Sequence, residues 1–198
     1  MRGRAGYLAC DPATAFVYER LLRFDVPTAA EVGPQLRALG LPPEEIRTAV
    51  LTHLYSDQTG GLAHVPNAAV YVSRVEAERP PQGALPCRWP AGFRPVPVDY
   101  RDGPAGAFAA SHALTRDGTV RLVPTPGHTR GHQSVVVEAG GTSLFLAGDA
   151  SFSLDKVQRR VVAVICEDRA AGRRTLDVVA EHLAGTGARS LAAHEPPL

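Results

Sequence analysis

The sequence predicts an α/β fold in a single domain spanning residues 1–198, and three observations carry that prediction. Short apolar runs of strand length alternate with helix-period segments along the chain. Polar residues able to do chemistry recur where those apolar runs end. The bulk composition is that of an ordinary globular protein, with 44% hydrophobic and 21% charged residues, which excludes a disordered chain, a collagen-like rod and a coiled coil. A chain of 198 residues buries enough surface to fold without a structural staple.

The elements follow in order. Asp11-Pro12 is an N-cap and N1 pair that opens a helix through Phe16, Leu21 and Leu22. Thr28-Ala-Ala-Glu31 has the capping-box pattern, and the next helix runs to Leu39, with Gly40 as its C-cap and Gly33-Pro34 shifting its start towards Pro34. Pro42 to Ile46 makes a short helical turn. Thr48–Thr52 reads as a short buried strand, Ala68–Val72 as another, and Arg74–Arg79 as a short helix. Between Pro80 and Pro97 six prolines exclude a central strand or a helix interior, so this stretch is a linker or a long loop over a site. Strands follow near Val120–Val123, Ser134–Glu138 and Thr142–Ala147, the last two joined by a hairpin turn at Ala139-Gly-Gly141. A helix from Arg169 to Leu183 carries Leu176, Val179 and Leu183 on one face and stops at Gly185. Arg189–Ala193 is the last strand.

Charge and cysteine content bound the setting. Twenty-one basic and 20 acidic residues leave a net charge of +1, and the arginines are scattered, so no nucleic-acid partner is implied. Lys156 is the single lysine. No run of about 18 apolar residues occurs, and the N-terminus lacks a signal-peptide core. Cys10, Cys87 and Cys166 contain no C-x-x-C pair and cannot close a disulfide framework among themselves, so they read as reduced thiols. Together these features predict a cytoplasmic protein with no membrane partner.

The chemistry collects at four strand ends. His53, Tyr55, Asp57 and Gln58 follow the strand Thr48–Thr52. His128 and His132 lie in Thr125-Pro-Gly-His-Thr-Arg-Gly-His132. Asp149 follows Leu144-Phe-Leu-Ala-Gly148, and His194 follows Ser190-Leu-Ala-Ala193. In a layered α/β fold such ends gather at one edge, where sites form. Imidazoles with carboxylates are ligands of the kind zinc takes. His132 reads as a structural neighbour of such a site; His64, His112 and His182 read as surface or core-edge residues. Trp89 and Phe93 are either core plugs beneath the proline loop or substrate contacts.

These residues carry a family resemblance. Thr52-His-Leu-Tyr-Ser-Asp-Gln-Thr-Gly-Gly61 resembles the H-x-H-x-D-H signature of the metallo-β-lactamase superfamily. Thr125 to Ser134 is similar to that superfamily's third metal-binding segment, Leu146-Ala-Gly-Asp149 to its bridging-aspartate strand, and Ala193-His194 to its last histidine. Phe24-Asp-Val, Gly33-Pro-Gln-Leu-Arg-Ala-Leu-Gly40 and Val65-Pro-Asn-Ala68 resemble the N-acyl-homoserine-lactone lactonase-like branch. The resemblance implies an αβ/βα sandwich, with two sheets face to face and helices outside them. It implies one metal site at His53, position 55 and His128, a second at Asp57, position 58 and His194, and Asp149 bridging both.

The chain departs from the pattern in three places. Position 55 is Tyr and position 58 is Gln, so each metal loses an imidazole, and neutral phenol and amide groups are weak ligands. Phe152 stands where lactonases of this type carry a tyrosine that hydrogen-bonds the substrate carbonyl. What remains, His53, His128 and Asp149, suits a mononuclear zinc, with iron or manganese as the alternatives.

The expected function is a lactonase-like hydrolase of a small lactone, ester or related carbonyl substrate. A zinc ion would lower the pKa of a bound water, and Asp57, with Tyr55 as a second candidate group, would handle the proton. The competing expectation is a catalytically silent or repurposed member that binds a small molecule or partner, or a biosynthetic lyase or cyclase. Only 52 residues precede His53, where the family places several strands. The N-terminal strands are therefore expected to be truncated, with a homodimer covering the exposed sheet edge, or the true start lies upstream.

Overall fold

A computed structural model describes residues 26–194. The helix expected from Asp11-Pro12 and the thiol expected at Cys10 lie outside the described residues. The chain forms two compact units. Of the described residues, the first holds 26–49, Leu54–Val70 and Gln82–Arg94; the second holds Val50–His53, Tyr71–Pro81 and 95–194.

In the first unit a 3₁₀ turn at Thr28–Ala30 leads into α1 (Val32–Ala38). The expected capping box does not form, because Glu31 occupies the cap position in extended backbone and no side chain caps the helix. Pro34 falls within the first turn, where its missing N–H costs no hydrogen bond, so the helix starts ahead of it. Gly33 is buried, and a Cβ there would stand 2.6 Å from His64 Nδ1; His64 in turn pairs with Glu31 at 3.3 Å. Gly40 ends the helix with φ +73, and Arg37 ties it to Glu44 at 2.6 Å.

Strand β1 is Thr48–Val50, shorter than expected and exposed to half-buried along its length instead of buried. Helix α2 (Ser56–Thr59) is a single turn. The proline-rich segment carries a 3₁₀ turn at Pro86–Arg88, and Trp89 meets Phe93 edge-to-face at 5.4 Å. Cys87 corrects the expectation of reduced thiols: it is disulfide-bonded, whereas Cys166 is free.

β1, β2 (Ala69–Ser73) and β3 (Val96–Val98) form a three-stranded sheet in that order. β2 and β3 run parallel, with Tyr71 opposite Val96. Pro97 sits in this edge strand, where a residue without an N–H is tolerated. Helix α3 (Arg74–Glu78) follows β2 and is capped by the Ser73 side chain, which accepts from the Glu76 N–H.

The rest of the second unit is built on a five-stranded sheet ordered β4 (His112–Ala113), β5 (Val120–Pro124), β6 (Gln133–Ala139), β7 (Thr142–Gly148) and β8 (Arg189–Ala192). The first four strands are antiparallel in sequence, and β8 joins β7 in parallel. Gly140 and Gly141 both take positive φ, +57 and +79, which makes the β6–β7 hairpin turn. Helix α4 (Leu154–Gln158) was not foreseen; α5 (Arg169–Thr186) was. Asp168 caps α5 by accepting from the Ala171 N–H at 2.8 Å. The helix runs through Gly185, the expected stop, and ends instead at Gly187, whose φ is +68. Its buried Leu176 and Val179 pack with Val157 against Phe108, Val123, Val136, Phe145 and Ala147.

His182, expected at the surface or the core edge, lies within the core at 2% exposure. Its ring lies 5.1 Å from Phe108 and 5.7 Å from Phe145, and neither nitrogen has a hydrogen-bond partner among the described residues. Burial pushes its pKa below the ordinary 6.5, against a weaker upward pull from Glu138. A depressed folded pKa means that the unfolded chain takes the proton first, so this contribution to stability is complete above about pH 6.5 and declines as pH falls below it. His182→Leu is therefore expected to flatten the loss of stability between pH 7 and pH 5. It should also gain roughly 1 kcal/mol at pH 7, where two unsatisfied polar atoms are removed. Urea unfolding at both pH values checks this, and an unchanged pH slope would overturn it.

Among the described residues no helix is long and apolar enough to cross a membrane.

Candidate metal centre

Three chain ends in the second unit deliver the expected ligands to one place. His53 follows the stretch Leu51–Thr52, which is held from both sides. The Leu51 N–H donates to the Tyr71 carbonyl at 3.0 Å, and the Thr52 carbonyl accepts from the Gln133 N–H at 2.9 Å. The Gln133 amide adds donated bonds to the carbonyls of Leu51 (2.9 Å) and Tyr71 (3.3 Å), and its oxygen accepts from the Tyr100 hydroxyl at 3.0 Å. His128 sits in the loop between β5 and β6. That loop is closed by Thr125 N–H to the His132 carbonyl (3.0 Å) and Gly127 N–H to the Thr129 carbonyl (2.9 Å). It is anchored to the start of α5, because the Gly127 carbonyl accepts from the Asp168 N–H and the His128 carbonyl from the Glu167 N–H. Gly127 has φ +144, and a Cβ there would overlap the backbone of Gly172. From the other side, the buried Glu76 carboxylate accepts from the Thr129 hydroxyl at 2.9 Å. Asp149 leaves the end of β7 after Gly148, whose φ is +55. A side chain at 148 would run into Thr52 and His132.

The resulting geometry fits a metal ion. His53 Nε2 and His128 Nε2 lie 3.2 Å apart, and His128 Nε2 lies 3.5 Å from Asp149 Oδ2. The ligand atoms of the three residues fall within 4.8 Å of one another. Tetrahedral zinc with bonds of about 2.0–2.1 Å separates its ligand atoms by roughly 3.3 Å. All three side chains are buried, at 0%, 5% and 3% exposure. His128 Nδ1 stands 2.9 Å from the Ile165 carbonyl. An oxygen without a proton can only accept, so Nδ1 carries the hydrogen and Nε2 presents its lone pair inward. His53 Nδ1 has the Thr52 hydroxyl at 3.0 Å, a partner that can either accept or donate. Burial, reinforced by the neighbouring His132, His128 and His194, pushes the His53 pKa down to about 2. The imidazole is thereby kept neutral, the form that binds metal. His194 places its Nε2 3.4 Å from the same Asp149 Oδ2 and is itself half-exposed.

His132 has a different role from its neighbours. The Asp149 N–H donates to its Nε2 at 3.1 Å, so that lone pair is already used. Its Nδ1 therefore carries the proton and donates to the Thr125 hydroxyl at 2.8 Å. Thr125 donates to Ser134 at 2.8 Å, and Ser134 donates to the Ala147 carbonyl at 3.0 Å. Since a carbonyl can only accept, the direction read from this end agrees with that read from Asp149. All of these side chains are buried, and burial pushes the His132 pKa down to about 3. His132 fixes the backbone of Asp149 and offers no nitrogen to an ion.

Of the other residues singled out in the sequence, Tyr55, Asp57 and Gln58 belong to the first unit. Tyr55 precedes α2, with its ring so close to Gly83 that a Cβ there would stand 2.5 Å from it. Gln58 donates to Asp57 at 3.2 Å. Phe152 lies edge-on to His194 at 4.8 Å and 6.5 Å from His128. Sequence reasoning missed Gln133, Glu76 and the Ile165 carbonyl. Gln133 could have been noticed as an amide at the head of an otherwise apolar strand. A backbone carbonyl gives no signal in a sequence.

Comparison with known proteins agrees with this architecture. The sequence profile of the metallo-beta-lactamase superfamily matches residues 10–181. A probable metallo-hydrolase of Mycobacterium tuberculosis is 33% identical over 155 residues, covering 72% of this chain and 49% of the relative. An N-acyl homoserine lactonase (AttM) of Rhizobium johnstonii is 30% identical over 169 residues, covering 82% and 63%. The chain thus spans about half the length of the mycobacterial relative. Among solved structures, an N-acyl homoserine lactone hydrolase holding N-hexanoyl-L-homoserine superposes with a TM-score of 0.70 at 20% identity, over 85% of this chain and 63% of that one.

Proposed function

The chain belongs to the metallo-beta-lactamase superfamily, and from that premise we propose that it is a hydrolase of lactones, esters or related carbonyl compounds working with a single zinc ion. One observation carries this reading: two buried imidazole Nε2 atoms and a carboxylate oxygen converge at 3.2 and 3.5 Å, close to the spacing tetrahedral zinc requires. His53, His128 and Asp149 would hold the ion. The chemistry it supplies when bound is Lewis acidity towards a carbonyl and an activated water near neutral pH. The chain's own residues do the rest. The Ile165 carbonyl keeps the His128 imidazole in the ligating tautomer, the Thr52 hydroxyl can accept the Nδ1 proton of His53 in that same tautomer, and the His132 bond holds Asp149 in register. Burial of the three ligands excludes competing water. Asp57, four residues after His53 in the motif, is the proposed proton carrier to the leaving oxygen. In a lactone that oxygen stays attached to the product. The lactone class is suggested by the AttM relatives, N-acyl homoserine lactonases, and the ester class by the same acyl–oxygen bond in an open chain; the single ion is inferred from Tyr and Gln at 55 and 58.

Elemental analysis of protein purified without chelators is expected to give close to one zinc per chain. Chelation should abolish hydrolysis of γ-lactones and activated esters, and one equivalent of zinc should restore it. Absence of metal, with no uptake on adding zinc or manganese, would overturn the proposal and favour the second reading, a silent member of the family. That reading rests on the same substitutions at Tyr55 and Gln58, together with Phe152.

A further inference from the structure

We propose that Lys156 forms an anion-binding subsite beside the metal centre, so that the carbonyl substrate carries a carboxylate or phosphate group. The proposal deepens the hydrolase reading above and rests on it. Lys156 is the only lysine in the chain. It lies on α4, one turn after the residues that follow Asp149, and its Nζ stands 5.3 Å from the centre of the Phe152 ring. The same ring meets His194 edge-on at 4.8 Å and lies 6.5 Å from His128. Phe152 is therefore an apolar ring that meets His194, lies 6.5 Å from His128 and carries an ammonium group over its face.

The other cations of this segment are neutralised. Arg159 pairs with Asp155 at 3.3 Å, and Arg160 with Asp177 at 2.7 Å. Asp155, the acid nearest to Lys156 in sequence, is thus already engaged. Among the described residues Lys156 has no carboxylate within ion-pair distance. An aromatic face attracts the ammonium but satisfies none of its three N–H donors. A half-buried cation held in this way, on a flexible stem next to a site, can accept a substrate anion without first breaking an internal ion pair.

The test uses matched substrate pairs on zinc-loaded protein: mono-4-nitrophenyl glutarate against 4-nitrophenyl butyrate, and γ-carboxy-γ-butyrolactone against γ-butyrolactone. The wild type is expected to favour the charged member by about tenfold in kcat/KM, the size of one charge-assisted hydrogen bond. Lys156→Gln should bring that ratio close to one, and Lys156→Arg should retain most of it. A ratio that is the same in the wild type and in Lys156→Gln would overturn the subsite while leaving the hydrolase reading intact. If neither pair is hydrolysed, the hydrolase reading fails, and the subsite is judged by calorimetry on metal-free protein with glutarate and inorganic phosphate. Binding weakened about tenfold in Lys156→Gln supports it; no binding, or equal binding, overturns it. The tighter of the two probes identifies the anion as carboxylate or phosphate.

Discussion

Asp149→Asn is expected to lower zinc affinity by at least about 100-fold, since loss of a direct ligand should exceed the 10- to 100-fold cost of disturbing an outer partner. Hydrolysis should fall to background with it. The substitution keeps the side-chain shape and removes the negative charge that two neutral imidazoles need in order to bind a dication in a buried setting. The bond from the residue's own N–H to His132 is a main-chain bond and survives. The far-ultraviolet circular dichroism spectrum should therefore be unchanged. Competition with a chromophoric chelator measures the affinity, and zinc binding equal to that of the wild type would show that Asp149 is not a ligand.

Gln133→Leu should be the most destabilising single change near the site, by about 3 kcal/mol. Gln133 is fully buried, and its side chain makes three hydrogen bonds, to Leu51, Tyr71 and Tyr100. Leucine fills a similar volume but takes the acceptor from the Tyr100 hydroxyl and the donor from the Leu51 and Tyr71 carbonyls, at about 1 kcal/mol for each lost bond. Because Leu51 is two residues before His53, the variant should also bind zinc more weakly than its residual fold would suggest. Tyr100→Phe is a useful companion. It removes the hydroxyl and leaves both bonds that the Gln133 amide donates, so it separates the hydroxyl's contribution from that of the carbonyls. Chemical unfolding of the metal-free proteins gives both values; a loss below 1 kcal/mol for Gln133→Leu would mean that water replaces the amide.

Much of this arrangement was legible in the sequence because strand-end chemistry is local. His53, His128, Asp149 and His194 each follow an apolar run, and a run that stops at a polar residue announces an edge. The β6–β7 hairpin was equally plain, since paired glycines supply the positive φ its turn needs. What misled was composition without context. Thr28 and Glu31 have the letters of a capping box, but the 3₁₀ turn at Thr28–Ala30 takes the threonine out of the cap position. Gly185 looked like a terminator, yet a glycine inside a long helix costs only about 1 kcal/mol, and α5 continues to Gly187. Cys87 reads as a lone thiol because spacing says nothing about which chain segments meet. His182 went unrecognised as a core residue because its neighbours Phe108 and Phe145 are far away along the chain.

The chain of bonds from Asp149 through His132, Thr125 and Ser134 to Ala147 has a consequence for observing the protein in solution. Every link is buried and every donor direction is determined, so the Asp149 amide proton can reach water only if the whole loop opens. Its exchange with deuterium should be among the slowest in the molecule, and the His132 Nδ1 proton should give a sharp, far-downfield signal that persists in neutral buffer. Two resonances would then report, without substrate or metal, whether the centre is assembled. A variant that has lost activity through misassembly would be separated from one that has lost only a ligand.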